Sequence, residues 1–122
     1  MSTEKKITYI ATYGEDNPEK ATIPFILATG AMAMEVIPVI ILQSNAVMLA
    51  VKDFAEKIIF KEGISLKQLI NNYTEAGYKL LLCGPCVEKR NLQEKDFIDG
   101  AMIIGAARVT EEVLSSVNVI TY

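Results

Sequence analysis

Cys83 and Cys86 are the only cysteines of the chain, three residues apart in "KLLLCGPCVEKR", residues 79 to 90. Thiolates attack sulfur–sulfur bonds, so a pair at this spacing can exchange disulfides or carry sulfur as a persulfide. The rest of the composition narrows the field. There is no histidine, which removes Ser-His-Asp triads, Cys-His dyads, HExxH zinc sites and imidazole bases. Two cysteines do not close a structural zinc site alone. No metal and no organic cofactor is expected.

Read alone, Cys83-Gly84-Pro85-Cys86 is the thioredoxin active-site tetrapeptide. Its context argues against that fold. The motif begins at residue 83 of 122, and no proline follows Pro85. A thioredoxin carries its motif near the start of the domain and faces it with a later cis-proline. Leu82 also stands where an aromatic residue is usual.

The elements that must position the pair follow from local signals. "KITYIATY", residues 6 to 13, reads as a mostly buried strand. Asn17 suits an N-cap, Pro18 the first helical position and Glu19 the positive end of the dipole, for a helix running to about Met34. "VIPVIIL", 36 to 42, is a second strand. Ser44 or Asn45 then caps a helix over about 46 to 60, with Val47, Val51, Phe54 and Ile58 at helical spacing. Ser65 and Gln68 form a capping box for the next helix, which Gly77 ends. "YKLLL", 78 to 82, is a third strand with Cys83 at its carboxyl end, and "GPCVEKRN" turns into a short helix. "GAMIIGA", 100 to 106, is a fourth strand. Thr110 caps a last helix with Glu111 and Glu112 in its first turn, and "NVITY", 118 to 122, is a fifth strand. Strands alternating with helices predict a three-layer α/β/α domain over residues 1–122, built on a five-stranded, mainly parallel sheet. In such sheets sites form at the carboxyl ends of the strands, where the loops "GEDN", "QSNA" and "CGPC" should gather.

Charge and hydropathy exclude other classes. The net charge, 12 − 15 = −3, gives no electrostatic reason to expect nucleic acid or anionic lipid. "IPFILATGAMAMEVIPVIIL", 23 to 42, is as long as a membrane span, but Glu35 and Pro38 favour a buried helix running into a buried strand. The polar N-terminus shows no signal-peptide pattern, so a cytoplasmic protein with reduced thiols is expected. Apolar residues make up 51% of this small chain, which predicts surface hidden against copies of itself.

The whole of residues 6 to 122 resembles the DsrE/DsrF-like family of small sulfur-relay proteins. The likeness begins with "ITYIATYGEDNPEKA" and continues through "AMAMEVIPVIILQSNAVMLAVKD". It then takes in "GYKLLLCGPCVEKRNL", where a strand ends in cysteine, and closes with "FIDGAMIIGAARVTEEVLSSVNVITY". The resemblance implies homo-oligomers, trimers or hexamers, and a cysteine that in some members carries sulfane sulfur as a persulfide. Cys83 matches that cysteine. A small sulfur-carrier or sulfur-donor protein is the implied partner. Two departures are present: Ser44-Asn45-Ala46 stands where many members have glycine, and Cys86 is an addition to the single-cysteine pattern.

The leading expectation is therefore a persulfide carrier or sulfurtransferase acting through Cys83. The helix that opens near Pro85, with Lys89 and Arg90, is expected to lower the Cys83 pKa. Three roles stand open to Cys86: resolving the persulfide, sharing the sulfur, or packing as a small hydrophobe. Gly84 and Pro85, between the thiols, are expected to contribute to substrate binding. Tyr13, Ser44 and Asn45 either line the site mouth or serve as strand-end and cap residues. The rival functions are a disulfide oxidoreductase using Cys83 and Cys86, and a non-catalytic oligomeric binding subunit.

Overall fold

The structure, a computed structural model, describes residues 4–122. Its strands are β1 (Lys6–Ala11), β2 (Ile37–Leu42), β3 (Leu80–Cys83), β4 (Ala101–Ile104) and β5 (Asn118–Thr121). Its α-helices are α1 (Pro18–Ala33), α2 (Leu66–Glu75), α3 (Gly84–Lys89) and α4 (Ala106–Ser115). The five strands form one sheet in the order β4-β3-β2-β1-β5. Every pairing is parallel.

That order dictates the layers. From β1 to β4 the chain steps steadily one way, so right-handed crossovers put every intervening helix on one face. After β4 it reverses to reach β5, and the same handedness sends α4 to the opposite face. The cores agree. Tyr9, Ile40, Leu42, Leu80 and Leu82 pack with Phe25 of α1 and Ile70 and Tyr73 of α2 on the front. Ile41, Leu81 and Ile104 pack on the back, where Val109 of α4 covers them.

The front is apolar and dense. Tyr73, 1% exposed, accepts from the Ile40 N–H at 3.0 Å and donates to the Lys79 carbonyl at 2.9 Å. A buried hydroxyl needs such partners, and burial raises its pKa. The back helix is held by polar contacts. Lys6 reaches Glu112 at 2.8 Å, Arg108 reaches the other Glu112 oxygen at 2.8 Å, and Thr8 shares a 2.7 Å hydrogen bond with Ser116. Burial acts to raise the Glu112 pKa, but the two cations hold it below the ordinary carboxylate value. Leu114 and Val117 remain 81% and 62% exposed.

Local signals were read correctly where they are self-contained. Asn17 caps α1 by accepting from the Lys20 N–H at 3.1 Å, with Pro18 at the first position. Ser65 caps α2 by accepting from the Gln68 N–H, although the Gln68 amide bonds Asn72 instead of closing the box. Gly77 ends that turn at φ +100°.

Three expectations are corrected. Residues 46 to 60 are not one helix: two 3-10 segments, Ser44–Ala50 and Ala55–Lys57, flank an extended Val51 that bridges to Phe97. Asp53 at φ +63° completes the break. Neither Ser44 nor Asn45 caps this region. Gln43 precedes it, and Ser44 lies inside at φ +52°. Thr110 does not cap α4, which starts a turn earlier after Gly105; its hydroxyl bonds back to Ala106, and Glu112 sits mid-helix. The stretch 23 to 42 resolves into the end of α1 and β2, and no helix among the described residues is long and apolar enough to cross a membrane.

Candidate functional site

Cys83 is the last residue of β3 and pairs in register with Ile104, the last of β4. Beyond them the two strands part company. β3 feeds α3, whose Val87 joins the front core, whereas β4 feeds α4 on the back. A crevice opens where neighbouring strands send their chains to opposite faces, the usual binding position in open α/β sheets. Here it is a cavity of about 280 Å³ lined by Gln43, Cys83, Pro85, Ile104, Ala106 and Val109, with Gly84, Gly105 and Thr110. None of these residues is charged.

The two thiols straddle this boundary. Cys83 is half-buried and opens onto the crevice. Cys86, on the first turn of α3, packs against the front core and does not line the crevice. Its Sγ donates to the Cys83 Sγ at 2.7 Å. The Ser44 N–H donates to the Cys86 Sγ at 3.2 Å. That N–H is aimed by the left-handed backbone at Ser44, a conformation that non-glycine residues seldom adopt. Both cysteines are free.

Electrostatics depart from expectation. The Cys83 pKa is raised, not lowered. Burial is the largest cause, and the adjoining Cys86 thiol adds to it. The Cys86 backbone N–H and the Arg90 guanidinium oppose the shift without reversing it. Arg90 is directed elsewhere: it donates to the Cys86 carbonyl at 3.1 Å and to the Asn45 Oδ1 at 2.7 Å. Lys89 is exposed.

Asn45 ties the three loops together. It accepts from Arg90 after β3 and hydrogen-bonds Asp16 in the loop after β1. Asp16 also accepts from the Gly14 N–H at 2.8 Å. Burial acts to raise the Asp16 pKa, but these hydrogen bonds bring it below the ordinary value. Gly14 is required for the approach. A Cβ there would meet the Asn45 carbonyl oxygen at 2.5 Å.

Of the residues singled out from sequence, Cys83, Gly84 and Pro85 line the crevice. Cys86, Ser44 and Asn45 form the layer behind it. Tyr13 stands apart, beneath the Lys20 ammonium at 5.1 Å. Gln43 opens the "QSNA" loop expected at this edge, whereas sequence reasoning missed Ile104, Gly105, Ala106, Val109 and Thr110 as walls. Ile104 and Ala106 were legible in principle, because they end and follow the strand that neighbours β3. Among the described residues, no cluster of three or more acidic or cysteine ligands is placed to hold a metal.

The chain belongs to the DsrE/DsrF-like family, whose model matches residues 5–122. Among its relatives is the uncharacterized protein MJ0989 of Methanocaldococcus jannaschii, 30% identical over 117 residues, or 96% of this chain and 99% of that protein. The uncharacterized protein MJ0760 of the same organism is 31% identical over 97 residues, or 80% of this chain. The chain matches only 35% of that protein's length. Two solved structures share the fold. The ychN protein of E. coli superposes with a TM-score of 0.73 at 20% identity, covering 97% of this chain and 99% of that one. MTH1491 of Methanobacterium thermoautotrophicum, a protein of unknown function, gives 0.69 at 13%, covering 98% and 99%.

Proposed function

We propose that the chain carries sulfane sulfur as a persulfide on Cys83, as a sulfur-relay protein. The observation that carries this reading is the presentation of a half-buried thiol to an open crevice at the carboxyl edge of the sheet. Membership of the DsrE/DsrF-like family supports it. In loading, the Cys83 thiolate attacks the outer sulfur of a donor persulfide, the donor S–S bond breaks, and the donor leaves as a thiolate. The uncharged lining favours a persulfidated cysteine offered by a partner protein over a small dianion such as thiosulfate, which would lose its hydration against Ile104 and Val109 without a counter-charge. The site residues and the protein partner belong to this proposal. So does assembly as a homo-oligomer, which the exposed Leu114 and Val117 support.

The test is intact-mass analysis after anaerobic incubation with a persulfidated cysteine peptide. The protein should gain one sulfur, about 32 Da, and Cys83→Ser should gain none. Loading that persists undiminished in Cys83→Ser would refute the assignment.

A further inference from the structure

We infer that Cys86 is a built-in resolving thiol, which lets the loaded protein discharge its sulfur as hydrogen sulfide and close a Cys83–Cys86 disulfide. This inference rests on the carrier reading of Cys83 and adds a second fate for the sulfur.

The argument is directional. Displacement at a sulfur–sulfur bond proceeds in line, with the attacking sulfur opposite the leaving one. A sulfur delivered through the crevice adds to Cys83 on the crevice side, since Cys83 lines that cavity. Cys86 does not line it. Its sulfur is packed on the front-core side, 2.7 Å from the Cys83 Sγ. The attacking and leaving sulfurs therefore flank Cys83 on opposite sides. A merely packed cysteine would need no polar contact, yet the Cys86 Sγ accepts the Ser44 N–H at 3.2 Å. Ser44 presents that N–H from a left-handed conformation, and the next residue, Asn45, crosses Gly14 so closely that a Cβ there would meet its carbonyl oxygen at 2.5 Å. Pro85, the second residue of α3, fixes the backbone between the thiols.

The step balances. The Cys86 thiol and the Cys83 persulfide give the Cys83–Cys86 disulfide and hydrogen sulfide. One S–S bond breaks within the persulfide, and one forms between the two Sγ atoms. The Cys86 proton leaves with the sulfide. The sulfane sulfur is reduced by two electrons, which the two cysteine sulfurs supply. Return to the dithiol requires an external dithiol reductant. With an acceptor thiol in the crevice the outer sulfur passes on; without one, Cys86 ends the waiting time.

The experiment loads the reduced protein with a stoichiometric persulfidated cysteine peptide, removes the peptide, and follows mass and free sulfide anaerobically. The wild type is expected to gain about 32 Da, then convert to a species about 2 Da below the reduced mass, with one sulfide released per chain. Cys86→Ser is expected to keep the added sulfur about a hundredfold longer, because an intramolecular attack is lost. A wild-type persulfide that persists without sulfide release or disulfide formation overturns the resolving role and leaves the carrier reading intact. That readout needs no variant. Loss of the added sulfur from Cys86→Ser at the wild-type rate overturns it as well. Loading of Cys83→Ser to the wild-type level overturns the carrier reading itself.

Discussion

Replacing Arg90 tests whether the loop network positions the thiol site. In Arg90→Met the side chain keeps much of its apolar stem and loses two donated hydrogen bonds, 3.1 Å to the Cys86 carbonyl and 2.7 Å to the Asn45 Oδ1. Bonds from a charged donor contribute about 1.5–3 kcal/mol when buried. Arg90 is only half-buried, so about 1 kcal/mol each is the better figure. The expected loss is about 2 kcal/mol, or about thirtyfold in the folded-to-unfolded ratio, read as a lower urea midpoint at unchanged slope. A second readout separates positioning from bulk stability. Arg90 opposes the upward shift of the Cys83 pKa, so its removal must push that pKa further up. Alkylation requires the thiolate. Site-resolved alkylation of Cys83 should therefore slow at pH 8, with its pH profile displaced to higher pH. Arg90→Lys keeps the charge but cannot span both acceptors. It should recover the alkylation profile more fully than the stability. A Met variant within about 0.5 kcal/mol of wild type, with an unchanged alkylation profile, would show that the network does not act on the site.

Gly14→Ala places a Cβ at 2.5 Å from the Asn45 carbonyl oxygen. It should cost about 1–3 kcal/mol, visible as a lowered Tm, and an undisturbed Tm would contradict the close crossing. Glu112 has a folded pKa below its ordinary value. Its contribution is therefore fully present above the ordinary value and disappears as pH falls through the lowered one. Urea midpoints should decline from about pH 5 to pH 3, and Glu112→Gln should be less stable at neutral pH with a shallower decline across that window. An identical acid slope in the variant would mean that Lys6 and Arg108 do not hold the carboxylate.

The strands, the order of elements and the thiol at the end of β3 were legible because their signals are short-range. Asn17-Pro18 and Ser65 announce helix starts through bonds within three residues. The spacing of Val47, Val51, Phe54 and Ile58 misled for a long-range reason. Val47 and Ile58 are buried in the front core, but the backbone between them is claimed by the bridge from Val51 to Phe97, 46 residues away. Thr110 looked like a cap because threonine oxygens favour helix starts. Ala106 and Ala107 propagate helix well enough to begin it at the sheet edge instead. The Cys83 pKa was misread for a related reason. Nearby cations were visible in sequence. The burial and the engagement of Arg90 by Asn45 were not, since both depend on chain brought in from elsewhere, and the neighbouring Cys86 thiol, visible three residues away, adds to the upward shift.

The reversal of chain direction after β4 divides the labour at the crevice. Cys83 rides on β3, while Ile104, Ala106, Val109 and Thr110 opposite it belong to β4 and the back helix. The thiol and the wall that faces it are thus encoded more than twenty residues apart, Cys83 against Ile104 to Thr110. Either can change without the other, so a substitution on the back helix reshapes one side of the crevice and leaves the thiol at the end of β3 in place.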